Sequence, residues 1–470
     1  MRAHGVVRHA GSITPGDPVP GPIETSAAVS VIDAVMLGAP VAVAILLVVA
    51  PRLGRRVGMV AVSVLIPGHA LLWLFEPYRQ WWPLYLLLVA MLVVVATTGR
   101  ELLGRIGIGV LAAISAAVWL VPPVPELPEP TGHYAVGSEI FRWVDPARPE
   151  PRTEADDRRN VVVQAWYPTE SAAGRRWVYL DGQDALPSQV AGVPSLIMGA
   201  YSHIDTHAFA QGPVSRARQR WPVVLFSPGY GAPRAYYSGL VADLASRGFV
   251  VLAVDHPYES AVTELADGTI AHTVETLPVD DPRFMVERQE IRTADLRFVL
   301  DRIGAGTDLG PLTDRLDPTH ISAVGHSFGG AAALSALSED RRLTAAANLD
   351  GTLYSDLPQR TIDRPVLILE SDRDITGHSA RYLDGNADLL RRLRAPSFRY
   401  EIDEADHFGF TDASHFVSAP VRFVATLFVG GSRGPTDTQW LTNDILTPFL
   451  LGDHPGIATA AARHPGVSAR

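Results

Sequence analysis

The stretch ISAVGHSFGGA, residues 321–331, decides the fold class of this chain. A short apolar run leads into GHSFG, residues 325–329, and small residues that favour a helix follow it. Glycines two positions before and two positions after Ser327 permit a sharp turn between strand and helix, which exposes the serine hydroxyl. The pattern therefore predicts a nucleophile elbow with Ser327 as the nucleophile.

Apolar strands alternate with helical segments on both sides of this elbow. Strands are predicted at 160–167, 221–227, 249–254, 321–324, 345–349, 365–370 and 398–402, and helices at 236–247 and 283–303. Continuous apolar strands separated by helices are typical of a parallel sheet that helices cover on both faces. With the elbow at the end of a strand, the pattern predicts an α/β-hydrolase fold over 131–455, with a cap at about 171–220.

A nucleophilic serine needs a histidine base, and the histidine needs an acid that orients it. The expected chain order in this fold is serine, acid, histidine. His407 follows the last predicted strand on a short turn and is the best candidate base, with His415 as its nearest alternative. Asp350 and Asp374 each follow a predicted strand between Ser327 and His407, so chain order leaves both acids open.

Two backbone N–H groups should stabilise the oxyanion that forms when the serine attacks a carbonyl group. One belongs to the residue after the nucleophile, Phe328, and the other to the loop that follows the strand 221–227. In that loop Pro228 has no N–H to donate. Tyr230 is therefore the better candidate for the second donor.

Four apolar segments precede the catalytic region, at about 31–50, 57–75, 81–97 and 106–121. Each approaches the length of about 20 apolar residues that crosses the hydrocarbon core of a bilayer. Arginine-rich loops after the first and third segments predict that these loops are cytoplasmic, which places the catalytic domain outside the cytoplasm. The sequence thus predicts a multi-pass cell membrane protein with an extracytoplasmic catalytic domain.

The remaining boundaries follow from composition. Residues 1–29 form a polar N-terminal segment, 30–121 a transmembrane region of about four helices, and 122–130 a Pro-rich linker. The tail 456–470 is rich in Ala, Gly and Arg. Chain ends of this composition are often poorly ordered, so the tail is predicted to be disordered.

Charge and composition argue against several classes of function. The formal net charge of −10 argues against a nucleic-acid partner. Because the chain has no cysteine, a thiolate nucleophile and a Cys-ligated metal are excluded. The spacing of His203 and His207 would suit zinc, but no third ligand accompanies them, so no metal is expected. Chemistry by serine, acid and histidine needs no cofactor.

Several blocks of sequence resemble the platelet-activating factor acetylhydrolase family, the serine-dependent phospholipases of the plasma and intracellular type II kind. They are GHSFGGA at 325–331, NLDG at 348–351, VLFS at 224–227, GYG at 229–231 and DLASRGFVV at 243–251. The resemblance covers about 131–430. The family places its acid on the strand directly after the elbow helix, which implies Asp350 and leaves Asp374 as the fallback. One departure is Pro228, where the family usually has a histidine.

The resemblance implies a serine hydrolase of carboxylic esters, with short-acyl or lipid esters as substrates. The four apolar segments, which the animal enzymes of the family lack, add the expectation of a membrane anchor with the bilayer as a further partner. Ser327, Asp350 and His407 would form its catalytic triad, with Tyr230 and Phe328 as oxyanion donors. Two alternatives stay open. An acyltransferase or a polyester hydrolase could use the same triad, and a non-catalytic membrane protein could bind or sense a ligand through a retained hydrolase domain.

Overall fold

The computed structural model describes residues 26–75, 82–96, 101–119, 124–153, 156–172, 174–182, 185, 189–190, 193–194, 201–273, 282–416 and 431–470. Most of the predicted N-terminal segment, the first two residues of the Pro-rich linker and parts of the predicted cap lie outside these residues. The chain divides into two compact units. The first unit contains four helices, and the second contains the sheet with all later elements.

The first unit is a bundle of helices. Its members are α1 at Ser26–Val49, α2 at Pro51–Phe75, α3 at Trp82–Ala96 and α4 at Glu101–Trp119. Helix α1 packs on α2, α2 on α3, α3 on α4, and α4 back on α1. The side chains of Ala44, Leu87, Met91 and Ile108 are completely buried in this unit.

The four membrane spans expected from the sequence are wrong. Among the described residues, no helix is both long enough and apolar enough to cross a bilayer. Helix α3 has 15 residues, fewer than the roughly 20 that a span requires. The other three helices carry charged residues inside their bounds, at Asp33, Arg52, Arg55, Arg56, Glu101 and Arg105. The expectation of a multi-pass membrane protein with an extracytoplasmic catalytic domain therefore fails.

The second unit is built on a ten-stranded sheet. The strands in chain order are β1 at Ala135–Pro149, β2 at Arg158–Thr169, β3 at Gln189–Val190, β4 at Val193–Pro194, β5 at Ala208–Ala210, β6 at Trp221–Ser227, β7 at Val250–Asp255, β8 at Val262–Glu264, β9 at Ile270–His272, β10 at Leu316–His326, β11 at Leu343–Leu349, β12 at Val366–Ser371, β13 at Ser397–Ile402 and β14 at Val467–Ala469. The order across the sheet is β14-β13-β12-β11-β10-β6-β7-β2-β1-β5, while β3 pairs with β4 and β8 with β9 in two small sheets. The strands from β13 to β7 are parallel, and β14 and β2 join their two ends antiparallel.

Helices cover both faces of this sheet. They are α5 at Ser238–Ser246, α6 at Pro282–Ala305, α7 at Phe328–Glu339, α8 at Arg373–Thr376, α9 at Ala380–Arg392, α10 at Pro435–Leu450 and α11 at His454–Ala462. On β6, Val223 and Leu225 pack with α6 and α7, whereas Val224 and Phe226 pack with α5 and α10. Because both faces are covered, the central strands β6 and β7 are buried at every position, and their residues are mostly apolar instead of alternating with polar ones.

The elements predicted in this unit lie close to the observed ones. The strand predicted at 221–227 has the bounds of β6, and α6 extends the predicted helix by one residue at its start and by two at its end. The predicted cap is less separate than expected, since β5 pairs with β1 and extends the main sheet at its edge.

The tail that was expected to be disordered contains most of α11 and the strand β14. Two interactions order it. The side chain of Asp453 accepts a hydrogen bond from the backbone N–H of Gly456, which caps the start of α11. Strand β14 pairs antiparallel with β13, so the end of the chain completes one edge of the sheet. Composition alone carries no sign of this pairing, because it depends on an edge formed by a distant segment.

A buried carboxyl group ties the segment after β13 to α5. Asp412 is completely buried and accepts hydrogen bonds from the backbone N–H of Gly239 at 3.2 Å, from the hydroxyl of Tyr179 at 3.1 Å and from the amide of Gln439 at 3.3 Å. Burial raises the pKa of Asp412 to about 7, because these donors only partly compensate for the loss of water. Asp412 therefore holds its proton in the folded protein at pH values where an unfolded chain has lost it.

This difference predicts a pH dependence of stability. Since the folded pKa is about 7 and the unfolded pKa about 3.9, the folded state binds one proton more between these values, and the free energy of unfolding falls as pH rises through that window. Asp412→Asn removes the titrating group and should reduce this fall, by up to about 1.4 kcal/mol per pH unit. Urea unfolding of the full chain at several pH values between 4.5 and 7 measures the slope. Asp374→Asn, at an exposed carboxylate, should keep the wild-type slope, and an unchanged slope in Asp412→Asn would contradict the assignment.

Candidate active site

The nucleophile elbow predicted from the sequence is a sharp turn between β10 and α7. Ser327 stands at this turn with φ 53° and ψ −124°, a conformation that residues other than glycine rarely adopt. A Cβ atom on Gly325 would overlap the backbone of Gly329, so the tight turn requires glycine there. The turn leaves Ser327 partly exposed between buried neighbours.

The structure brings Ser327, His407 and Asp350 together. Nε2 of His407 lies 3.0 Å from Oγ of Ser327, and Nδ1 of the same ring lies 2.7 Å from a carboxylate oxygen of Asp350. With the proton on Nδ1 donated to Asp350, Nε2 is left to accept the hydroxyl proton of Ser327. Each of the three residues follows the carboxyl end of a parallel strand, namely β10, β11 and β13, which places them at one edge of the sheet.

Asp350 is surrounded by hydrogen-bond donors. Besides His407, its carboxylate accepts from Nε2 of His378 at 2.8 Å, from the backbone N–H and hydroxyl of Ser371 at 3.0 and 2.7 Å, and from the hydroxyl of Tyr382 at 3.3 Å. Burial alone would raise the pKa of Asp350, but the hydrogen bonds from His378 and His407 outweigh burial and hold that pKa well below its usual range. Asp350 is thus a fixed negative charge beside the imidazole of His407.

The two candidate acids differ in their positions. Asp350 is the carboxylate in contact with His407. Asp374 lies exposed on α8, where its backbone N–H donates to the side chain of Asp372. The donors His378, Ser371 and Tyr382 are not predictable from the sequence, since no motif marks them and each is more than 20 residues from Asp350 in the chain.

His326, which precedes the nucleophile, links two parts of the site. Its Nε2 donates to the backbone carbonyl of His407 at 2.9 Å, and its Nδ1 accepts from the hydroxyl of Tyr237 at 2.8 Å. That hydroxyl in turn accepts from the backbone N–H of Gly229 at 2.8 Å. Burial, with the nearby His407 adding to it, lowers the pKa of His326 to about 3, so its ring is neutral. The structure places this histidine as a bridge between the loop after β6 and the segment of His407.

The loop after β6, residues 228–231, lies directly against the elbow. A Cβ atom on Gly329 would overlap the carbonyl oxygen of Ser227, so glycine permits this approach. The rings of Tyr230 and Phe328, the two expected oxyanion donors, lie 5.7 Å apart. Phe328 is the first residue of α7, and its N–H has no acceptor within the helix. The N–H of Gly229 is already taken by Tyr237, so Gly229 is not the donor, and Tyr230 stays the candidate from this loop.

A second hydrogen-bonded series of serine, histidine and aspartate lies behind this loop. Oγ of Ser227 is 3.0 Å from Nε2 of His256, whose Nδ1 is 2.9 Å from Asp295. Each of these three residues is at most 1% exposed, so none of them can contact a substrate as Ser327 can. Burial, aided by the charge of Arg292, lowers the pKa of His256 to about 4, which keeps the ring neutral. The arrangement fixes the start of the loop rather than forming a reaction site.

Candidate metal ligands do not come together in the part of the chain that the structure describes. No group of three or more His, Asp or Glu side chains there could hold a metal ion. Nε2 of His207 contacts the backbone carbonyl of Leu127 at 3.1 Å, and the backbone N–H of His207 donates to Asp205 at 2.8 Å. These contacts fix a local turn around His207.

This fold, with a serine at the elbow and a histidine and an aspartate beside it, defines an α/β-hydrolase. Residues 123–275 and 285–377, more than half of the chain, match the family model of platelet-activating factor acetylhydrolase, isoform II. The chain belongs to that family, as its resemblance predicted. The matched residues include Ser327 and both candidate acids, but they end before His407.

Individual relatives extend the comparison. The chain is 31% identical to platelet-activating factor acetylhydrolase of Canis lupus familiaris over 53% of this chain and 60% of that protein. It is 28% identical to a probable 1-alkyl-2-acetylglycerophosphocholine esterase of Arthroderma benhamiae over 49% of this chain and 60% of that protein. The chain thus spans at most 60% of the length of these two relatives. The chain is also 25% identical to cutinase 1 of Thermobifida cellulosilytica over 48% of this chain and 76% of the cutinase.

A solved structure shares the fold. The ferulic acid esterase from Streptomyces cinnamoneus superposes with a TM-score of 0.61 at 28% identity, over 73% of this chain and 99% of that chain. The expected α/β-hydrolase fold is therefore confirmed, while the membrane region that was expected to precede it is not.

Replacement of the two acids separates their roles. Asp350→Asn should slow fluorophosphonate labelling of Ser327 by orders of magnitude, about 10⁴-fold where this change was made in a comparable triad. The reason is that the new side-chain amide can point its N–H₂ group at Nδ1 of His407. The ring then carries its proton on Nε2 and cannot accept the hydroxyl proton of Ser327. Asp374→Asn should label at the wild-type rate within about threefold. Gel-based labelling over time measures both, and the opposite ranking would assign the acid to Asp374.

Proposed function

We propose that this chain is a serine hydrolase of carboxylic esters, with Ser327 as nucleophile, His407 as general base and acid, and Asp350 as the residue that orients His407. The observation that carries the proposal is the 3.0 Å distance from Oγ of Ser327 to Nε2 of His407, whose Nδ1 is held by Asp350 at 2.7 Å. The relatives named as acetylhydrolase, esterase and cutinase support the same class of reaction.

The first half of the reaction forms an acyl-enzyme. Oγ of Ser327 attacks the acyl carbonyl carbon while Nε2 of His407 accepts the hydroxyl proton. The carbonyl oxygen becomes an oxyanion, which the backbone N–H groups of Tyr230 and Phe328 stabilise. The buried negative charge of Asp350 favours the imidazolium form of His407. When the tetrahedral intermediate collapses, the bond to the alcohol breaks and His407 gives its proton to the departing alkoxide oxygen.

Water completes the reaction. His407 accepts a proton from a water molecule, whose oxygen attacks the acyl carbon, and the proton then returns to Oγ of Ser327 as the carboxylic acid leaves. The side chain of His407 is 30% exposed and Ser327 is partly exposed, so both residues are open to solvent. This access favours hydrolysis over transfer of the acyl group to another acceptor, the alternative that the sequence left open.

A cavity of about 470 Å³ next to the elbow offers space for a substrate group. Its wall includes Tyr354, Val286 and Leu353, and the ring of Tyr354 lies edge-on to the ring of Phe328 at 5.5 Å. Arg381 and Asp384 add polar groups to the same wall. The triad residues are not among those that line this cavity, so the substrate class rests on the relatives named as an acetylhydrolase and an acetylglycerophosphocholine esterase, and we assign short-acyl esters as that class.

The decisive test uses the purified full chain and its Ser327→Ala variant. Fluorophosphonate labelling and turnover of p-nitrophenyl acetate, butyrate and octanoate should both be present in the wild type and absent in Ser327→Ala, because the nucleophile is gone. Turnover should be faster with acetate and butyrate than with octanoate if the cavity limits chain length. Ser338→Ala, on the far side of α7 from the elbow, is the matched control and should keep both activities. A folded wild type without labelling or turnover would contradict the proposal and favour a binding role.

A further inference from the structure

Behind the loop 228–231 lies a buried arginine that the reaction scheme does not use. Arg292 projects from α6, and 1% of the residue is exposed. Its Nη1 donates to the carbonyl oxygen of Pro228 at 2.5 Å, and its Nη2 donates to the carbonyl oxygen of Gly229 at 3.3 Å. Its Nε donates to the carboxylate of Glu259 at 2.7 Å, a residue that is also 1% exposed. One guanidinium group therefore holds two successive carbonyl groups of this loop.

These two carbonyl groups determine where the N–H groups of the loop point. The carbonyl of Gly229 and the N–H of Tyr230 belong to one planar trans peptide unit, so they point in opposite directions. The Gly229 oxygen accepts from Arg292 and also from the backbone N–H of Ala232, each at 3.3 Å, and these two contacts together fix the Tyr230 N–H on the other side of that plane. The preceding unit is held at both ends, because Arg292 binds the Pro228 oxygen and Tyr237 binds the Gly229 N–H at 2.8 Å.

The guanidinium also lies over the side-chain rings of the two residues that carry the expected oxyanion donors. Its central carbon is 4.9 Å from the ring centre of Phe328 and 5.8 Å from the ring centre of Tyr230. A positive charge at a carbonyl oxygen polarises the peptide unit and makes its N–H a stronger donor. Because the group is buried, water screens this effect only weakly.

We infer that Arg292 is a positioning residue of the oxyanion hole, which aims and polarises the N–H of Tyr230 through the carbonyl oxygens of Pro228 and Gly229. This inference rests on the proposed function. The charge of Arg292 stabilises the transition state, in which the oxyanion exists, and contributes little to binding of the neutral ester. Glu259 is the counter-ion that allows this charge to be buried.

The test compares two variants that differ only at position 292. Glu259→Gln removes the buried carboxylate and serves as the reference. The double variant Glu259→Gln with Arg292→Met removes the whole ion pair, so that no unpaired charge is left in the core. Relative to the reference, kcat for p-nitrophenyl butyrate should fall about 10- to 100-fold, less than the roughly 10²–10³ that loss of a whole donor costs. KM should change less than threefold, because the neutral ester does not need the charge.

A second measurement separates positioning from general damage to the fold. An aryl trifluoromethyl ketone forms a tetrahedral oxyanion on the nucleophile, so its inhibition constant should rise by a factor similar to the fall in kcat. Arg292→Lys keeps a positive charge but lacks the fork that reaches both carbonyl groups, so its kcat should be intermediate. Thermal unfolding monitors folding of each variant.

The outcomes separate the two proposals. A double variant with the kcat of the reference, or one whose KM rises while ketone inhibition is unchanged, would overturn the role of Arg292. If the double variant or the reference, which keeps Arg292 without its carboxylate, does not fold, Arg292→Lys compared with the wild type decides the question. Wild-type kcat and ketone inhibition in Arg292→Lys would also overturn the role. Failure of the proposed function would appear instead in the wild type, as absence of turnover that depends on Ser327.

Discussion

The candidate site depends on one buried carboxylate. Asp350 accepts hydrogen bonds from His407, His378, Ser371 and Tyr382, which come from the stretch 371–382 and from the segment after β13. A buried carboxylate without such donors would be costly and would take up a proton. These donors keep it charged, and in return the charge holds those segments together beneath the imidazole of His407. The position of the base relative to Ser327 therefore depends on a contact that also orders this edge of the sheet.

The other half of the site is ordered by a second set of buried polar contacts. Arg292 and Tyr237 hold the peptide units of the loop after β6, and Ser227 at its start is bound by the neutral ring of His256. His326 connects this loop to the segment of His407 through hydrogen bonds at each ring nitrogen. The two halves are therefore built by different side chains but share a rigid connection next to the nucleophile.

The sequence predicted the catalytic unit well and the N-terminal unit poorly, for one physical reason. Strand–turn–helix patterns around Ser327 report local backbone conformation, which residues such as Gly325 and Gly329 determine directly. An apolar helix, by contrast, has the same appearance whether it packs against lipid or against other helices. The apolar pattern before residue 120 therefore predicts membrane spans, which no described helix provides. The composition of the tail after residue 455 predicts disorder, although β13 provides its pairing partner.

By itself the sequence determined the elbow, the parallel sheet and the family, because these follow from local glycine positions, from the period of apolar residues and from continuous similarity. It also indicated His407 as the candidate base. Chain order did not distinguish Asp350 from Asp374 as the acid, and only the family resemblance favoured Asp350. Only the tertiary structure decided which carboxylate meets the histidine and which donors surround it. It also showed that Arg292 lies behind the loop of Tyr230. Contacts between residues far apart in the chain depend on how strands and helices are arranged in space, and no local pattern encodes that arrangement.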